Sequence, residues 1–339
     1  MGKSPLVCAL AGALLTLAGT AFAADIPEAC NSHTAAVTGG PMPPAESDTV
    51  VIRWLGNANF EFAYKGKVYL FDAYFDRTPR SHKIGVAAKD VTKAEGIFVS
   101  HAHFDHISDI GPVARQTGAR VVGAPITIET ARKLGAPEQQ LVVAKGGESM
   151  TFGDATVEIA LAQHSTIQPG LTDIYLNLYV NDSPLYSEEE KLELARVRAL
   201  GTFDPKVITE GTLAYALVLP SGFKAVLVGS SGPITPGVRA LAEKLGPVDV
   251  AIVAYQVHAV ADTQIGYTWP FIELFKPKLF LPAHHDAAPP AWVDLGLEPL
   301  FDKIRAELPG TAFLAPLYRS PICIADGGPD KGKLVSFKY

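Results

Sequence analysis

The sequence predicts a mixed α/β protein, and three observations carry that prediction. Apolar runs of strand length recur from residue 49 to residue 325, two of them joined by the tight turn Lys65-Gly66. Stretches with helical periodicity or a clear N-cap lie between them, at about residues 108–116, 127–134, 235–245, 269–275 and 298–307. With 48% hydrophobic and 19% charged residues in 339, the chain can bury a substantial core and is not a disordered polymer. No internal repeat or clean linker divides it, so one domain from 48 to 339 is expected, after a Pro- and Ala-rich extended lead-in at 24–47.

Before the lead-in comes a different kind of segment. Lys3, an apolar run at 7–18 and Ala21-Phe22-Ala23 have the order of a secretory signal peptide, 1–23, cleaved before Ala24. The apolar run is too short for a stable membrane anchor, and Cys8 lies too early for a lipoprotein cysteine. Export to the periplasm or the medium is therefore expected. The mature chain would hold two cysteines, Cys30 and Cys323. In an oxidising compartment they suit a disulfide, with a pair of unlinked thiols as the alternative.

The strands at 49–54, 59–64 and 67–71 form an opening meander, and Asp72 follows the third. A polar loop at 73–95 carries His82 among Arg77, Arg80 and Lys83, which reads as a solvated loop within reach of an anionic substrate. Next, the buried run Gly96-Ile97-Phe98-Val99 delivers Ser100-His101-Ala102-His103-Phe104-Asp105-His106. Three imidazoles and a carboxylate within six residues, at the end of a buried strand, are a ligand set for zinc and neighbouring first-row metals. Later strands, at 141–144, 149–152, 156–162, 213–219, 225–228, 248–254 and 278–281, end in further polar groups: Gln163-His164-Ser165, Gly229-Ser230-Ser231-Gly232, Tyr255-Gln256-Val257-His258 and Pro282-Ala283-His284-His285-Asp286. His258 is a candidate for contacting substrate or metal, set against a solvated loop histidine. A charged helix with Ser187 as N-cap runs from there to about Leu200, inside an insertion at about 181–211 that either packs outside or shapes substrate entry.

The stretch His101-Ala102-His103-Phe104-Asp105-His106 resembles the HxHxDH signature of the metallo-β-lactamase superfamily, and the resemblance extends over about residues 48–325. It implies an αββα sandwich: two mixed sheets face to face, helices outside, and a metal site at one edge. It implies His101, His103 and His164 for one metal, and Asp105, His106 and His284 for a second. The Pro-x-His pattern selects His284, with His285 as the alternative and Asp286 able to orient either ring. Asp72 would support the metal loop without being a ligand. Two departures stand out. Asn57 occupies the place of a histidine that often follows Gly56, and Ser230 stands where an aspartate normally bridges two ions. A neutral hydroxyl does not offset the repulsion between two cations, which puts a tightly held pair in doubt.

The function expected is an exported hydrolase that uses metal-bound hydroxide on an ester, lactone, amide or phosphodiester. Zn2+ is the expected cofactor, as one or two ions, with iron or manganese as substitutes. Asp105 would orient the water or hold the second ion, and His258 or Tyr255 would stabilise developing charge. The Trp54-Leu55-Gly56 opening and the Pro-x-His ending look most similar to the lactonase and phosphodiesterase-like branch. Two other readings are open: a mononuclear iron oxidoreductase acting on thiol compounds, and a binding protein on a degenerate scaffold. The partner is a small-molecule substrate. A net charge of −6 argues against a general nucleic-acid binder. The sequence leaves the oligomeric state unknown.

Overall fold

The computed structural model describes residues 27–166, 186–255, 261–286, 296–325 and 333–336. The region expected to be a signal peptide lies outside them. Among the described residues, fifteen strands build two mixed sheets, one of eight strands and one of seven. In the first are β1 (Val50–Trp54), β2 (Phe60–Tyr64), β3 (Lys67–Phe71), β4 (Gly96–Phe98), β5 (Arg120–Gly123), β6 (Leu141–Val143), β14 (Ile322–Ala325) and β15 (Lys333–Ser336), in the order β15-β14-β1-β2-β3-β4-β5-β6. The second holds β7 (Ser149–Phe152), β8 (Ala155–Ala162), β9 (Thr212–Val218), β10 (Lys224–Val228), β11 (Val250–Ala254), β12 (Leu279–Ala283) and β13 (Ala312–Phe313), in order from β13 to β7. Each sheet is antiparallel on one side and parallel on the other. In the first, β3 to β6 are parallel; in the second, β10 to β13 are.

Alternation along the strands explains why the sheets stack. Successive side chains point to opposite faces. On β9, Leu213, Tyr215 and Leu217 enter the core between the sheets, while Ala214 and Ala216 face the outer layer. Phe62, Phe71, Phe98, Phe152 and Tyr215 fill the middle, with Phe98 meeting Phe152 edge-on at 4.8 Å. Each such buried aromatic stabilises the fold by about 1.5–3 kcal/mol. Helices cover the outsides. On the first sheet lie α1 (Phe104–Ile107), α2 (Ile110–Thr117) and α3 (Pro125–Lys133). On the second lie α6 (Pro236–Leu245), α7 (Ala261–Phe275) and α8 (Glu298–Glu307). Between these sets the chain forms α4 (Glu188–Arg198) and α5 (Lys206–Thr209). This is the αββα sandwich expected. Thr235 caps α6 by accepting from the Val238 N–H, and Pro236 opens it. Helix α7 is longer than the periodicity suggests, because Pro270 reads as a start but is accommodated inside.

The expected extended lead-in is corrected by the structure. Residues 28–30 and 36–38 form two 3₁₀ turns whose Ala29, Cys30, Ala36 and Val37 are buried against the outer face of the first sheet. A fully buried ion pair organises them. Arg53 and Glu61, cross-strand partners on β1 and β2, meet at 2.9 Å with no solvent exposure. Glu61 accepts from the backbone N–H groups of Ala36 and Val37, both at 2.9 Å, and so supplies the cap that the second turn lacks. Arg53 donates to the carbonyls of Ala29 and Ser32. Cys30 is bonded to Cys323 on β14, which secures the same segment covalently.

Replacing Glu61 by alanine leaves the Arg53 charge buried and unpaired and uncaps the turn. The expected loss is about 3–5 kcal/mol in urea unfolding of the oxidised chain at neutral pH.

Candidate metal centre

The polar strand ends converge because of the topology. β3, β4, β10 and β12 belong to the parallel halves of their sheets, and their carboxyl ends open on one edge, where ligand crevices form in such folds. β3 delivers Asp72, β4 delivers His101 and His103, β8 delivers His164, β10 delivers Ser230, and β12 delivers His284. Two groups of three donors result. In one, ligand atoms of His101, His103 and His164 all lie within 4.8 Å of one another; Asp105, His106 and His284 form the other. The rings of His101 and His106 are 3.8 Å apart, so the groups adjoin.

One buried carboxylate sets the tautomers. Asp72 accepts from the Ser100 N–H at 2.7 Å through Oδ1, and from the Ser100 hydroxyl at 3.0 Å and His106 Nδ1 at 2.7 Å through Oδ2. Ser100 Oγ, its proton directed to Asp72, accepts from His101 Nδ1 at 3.1 Å. His164 Nδ1 donates to the Ser165 carbonyl at 2.6 Å. In all three rings the proton sits on Nδ1, which leaves the lone pair on Nε2. Those three Nε2 atoms, and Nδ1 of His284, are buried without a hydrogen-bond partner. Buried polar atoms are ordinarily satisfied, so this concentration of orphaned lone pairs is what fits the site to a cation.

The electrostatics agree. Burial, reinforced by neighbouring imidazoles, holds His101 and His164 well below the ordinary histidine range. Burial pushes His103 down to about 4, against the opposing charge of Asp105. These rings are neutral at pH 7, as ligands must be. Burial acts against the charged form of His106, but Asp105 and Asp72 outweigh it and raise that ring. Burial also opposes ionisation of Asp105, yet His106, His284 and His103 hold it far below the usual carboxylate range. His284 Nε2 stands 3.0 Å from Asp105 Oδ2.

Backbone shape contributes as well. Asn57, Asp72 and His284 have positive φ (52°, 56° and 63°), a conformation uncommon outside glycine and enriched at functional sites. Gly229 lies directly under the centre: a Cβ there would come within 2.6 Å of the Ser100 Cβ, so the strand end approaches only with glycine.

His284 enters the second group, while the alternative, His285, stacks on Trp54 at 4.4 Å, with Trp54 in turn stacked on Tyr318. Asp286 accepts from the Asn57 N–H, Arg77 Nη1 and the Tyr318 hydroxyl. The Tyr255 hydroxyl lies 3.4 Å from the Gly296 carbonyl. His258 lies outside the described residues. Ser230 is fully buried and its hydroxyl accepts from the Ser165 N–H at 3.1 Å, beside His164. Two arginines of the basic loop have protein partners: Arg77 pairs with Asp286 and Arg80 grips Glu190 through two 2.8 Å hydrogen bonds.

Sequence reasoning missed Phe203. The segment after α4 docks on the histidine turn: Thr202 N–H donates to the Ala102 carbonyl at 2.9 Å, and a Cβ at Gly201 would stand 2.2 Å from the Phe104 nitrogen. The Phe203 ring then lies 5.3 Å from that of His103, yet is 56% exposed. The signal that could have found it is Gly201 directly after the α4 pattern, a mark of close backbone approach.

A metal-binding αββα protein is the class that this fold and edge define. Residues 67–285 match the family described as Beta-lactamase superfamily domain, and the chain belongs to it. A UPF0173 metal-dependent hydrolase of Myxococcus xanthus is 30% identical over 164 residues, 48% of this chain and 55% of that protein. The chain thus spans about half the length of the curated relatives it matches. Among solved structures, a metallo hydrolase from Ignicoccus hospitalis shares the fold at a TM-score of 0.57 and 16% identity, covering 81% of this chain and 98% of that one. The diiron β-hydroxylase CmlA from Streptomyces venezuelae does so at 0.52 and 13%, covering 84% and 55%.

Alanine at Gly201 should lift the insertion from the histidine turn at a cost of about 1–3 kcal/mol. Hydrogen–deuterium exchange should then rise in residues 186–205 and stay unchanged in the β-sheets.

Proposed function

We propose that the protein is an exported metal-dependent hydrolase of small-molecule esters, lactones, amides or phosphodiesters. The observation that carries this reading is the pair of adjoining three-donor groups whose lone pairs are directed inward by Asp72, Ser100 and the Ser165 carbonyl. The name of the Myxococcus relative, a metal-dependent hydrolase, supports it. The signal-like N-terminus supports export, and the Cys30–Cys323 bond is in keeping with an oxidising compartment.

His101, His103 and His164 would hold one ion, of which zinc suits the neutral imidazoles best; Asp105, His106 and His284 would hold a second. When bound, an ion in such a site supplies Lewis acidity and lowers the pKa of water from about 15.7 to about 7. The chain's own residues do the rest. Asp105, kept ionised by its histidines, would orient an attacking water or hold the second ion. Asp72 and Ser100 keep the ring protons on Nδ1. Phe203 lies beside His103, where it would contact a bound substrate.

Ser230 brings no charge to this centre, and that favours unequal occupancy of the two groups. The same neutrality is the ground for the second reading, a mononuclear iron oxidoreductase acting on thiol compounds.

Elemental analysis of the purified chain and of Ser230→Asp tests the proposal. Two zinc ions per chain, or one rising to two in the variant, support it. One iron, with oxygen consumption on thiol substrates, moves the assignment to the oxidoreductase. No metal after reconstitution overturns both and leaves the binding-protein reading. Asp72→Asn should weaken metal retention against a chelator by about 10–100-fold, since it disturbs the partners that orient His106 and His101.

A further inference from the structure

We infer that Asn57 is the positioning residue of the Asp105–His106–His284 group, the tether that sets the separation of two loops remote in sequence. The inference rests on the metal-centre reading and adds a residue to it. Asn57 is fully buried between the loop that carries Asp105 and the strand end that carries His284. Its side-chain Nδ2 donates to the Asp105 carbonyl at 2.5 Å. Its own carbonyl accepts the His284 N–H at 2.8 Å and the Trp54 indole N–H at 2.8 Å. Its N–H donates to Asp286 Oδ1 at 2.9 Å. One residue therefore bonds to the backbones of both Asp105 and His284, whose side chains stand 3.0 Å apart.

The tether is stiff on each side. Asp286 is clamped by Arg77 at 2.7 Å, with both side chains buried, and by the hydroxyl of the half-buried Tyr318 at 2.6 Å. Gly56 and Asn57 both take positive φ, 88° and 52°, so that the Asn57 amide and carbonyl can face different loops. Gly56 has no room for a side chain, since a Cβ would lie 2.8 Å from Ile84 Cγ2. Asparagine tolerates the left-handed conformation better than most residues and supplies the one donor that a carbonyl requires. Its Oδ1 finds no partner, so the amide makes no other hydrogen bond among the described residues. Holding Asp105 is its work. The His101–His103–His164 group has its own supports, Ser100 and the Ser165 carbonyl, and does not depend on Asn57.

Zinc titration of the chelator-stripped full chain by calorimetry separates the two groups. Asn57→Gly removes only the amide and suits the positive φ; Asn57→Asp keeps size and shape but turns the donor into an acceptor facing a carbonyl. His284→Ala identifies which binding event belongs to the second group. Both Asn57 variants should weaken that event by at least about tenfold, leave the other within about twofold, and unfold with the cooperativity of the wild type. Equal weakening of both events means a general structural role and overturns the inference, as does an unchanged isotherm. A single event that His284→Ala leaves untouched overturns it too, because no ion then sits between the two loops. A wild type that takes up no zinc overturns the metal-centre reading together with it.

Discussion

The carboxylate of Asp72 is the point on which the centre depends. Placed by a left-handed residue at the end of β3, it receives two hydroxyl- or imidazole-borne protons and one backbone N–H from the neighbouring strand end. The effect is directional. An isolated histidine shares its proton between two nitrogens, whereas a ring whose Nδ1 is committed has a single lone pair and a single place to send it. Asp72 commits His106 directly and His101 through Ser100. It also joins β3 to β4 at the level where both strands stop, so the architecture of the sheet and the chemistry of its edge share one interaction.

Around that point the protein maintains groups that burial alone would not tolerate. Several imidazole nitrogens without partners, packed in a water-poor edge, cost the fold stability unless something occupies the space between them. The three left-handed residues that surround it, each strained by about 1–3 kcal/mol, add to that cost. The two packed sheets supply what offsets it. Rigid strand ends hold the loops in place, and the aromatic layer beneath, from Phe71 to Tyr215, gives them an unyielding floor.

Much of this was legible in the sequence, and the reasons differ by element. Apolar runs of strand length exposed the strands, and Thr235-Pro236 and Ser187 marked two helix starts because capping is local chemistry. The HxHxDH cluster was legible because four of its six residues are donors gathered at one strand end. The choice of His284 over His285 needed the structure, since adjacent residues differ only in which way the backbone turns, and Trp54 takes the ring of His285. That Asp286 also binds Asn57 and Arg77 was not legible, because both lie more than two hundred residues away. The lead-in looked extended because its turns have no cap of their own; Glu61 supplies it from another strand.

The seam between β1 and β14 bears on how the chain comes together in time. Residues 50–52 pair with 322–324, so nearly the first strand of the sheet awaits nearly the last. A polypeptide that emerges from its N-terminus, from a ribosome or through a membrane pore, holds β1 with an open edge for almost its whole passage, and open edges invite the wrong neighbour. The cysteine bridge spans that same seam across 293 positions. It works as a latch that can close only once the tail has arrived, and from then on the two ends of the molecule are no longer free to part.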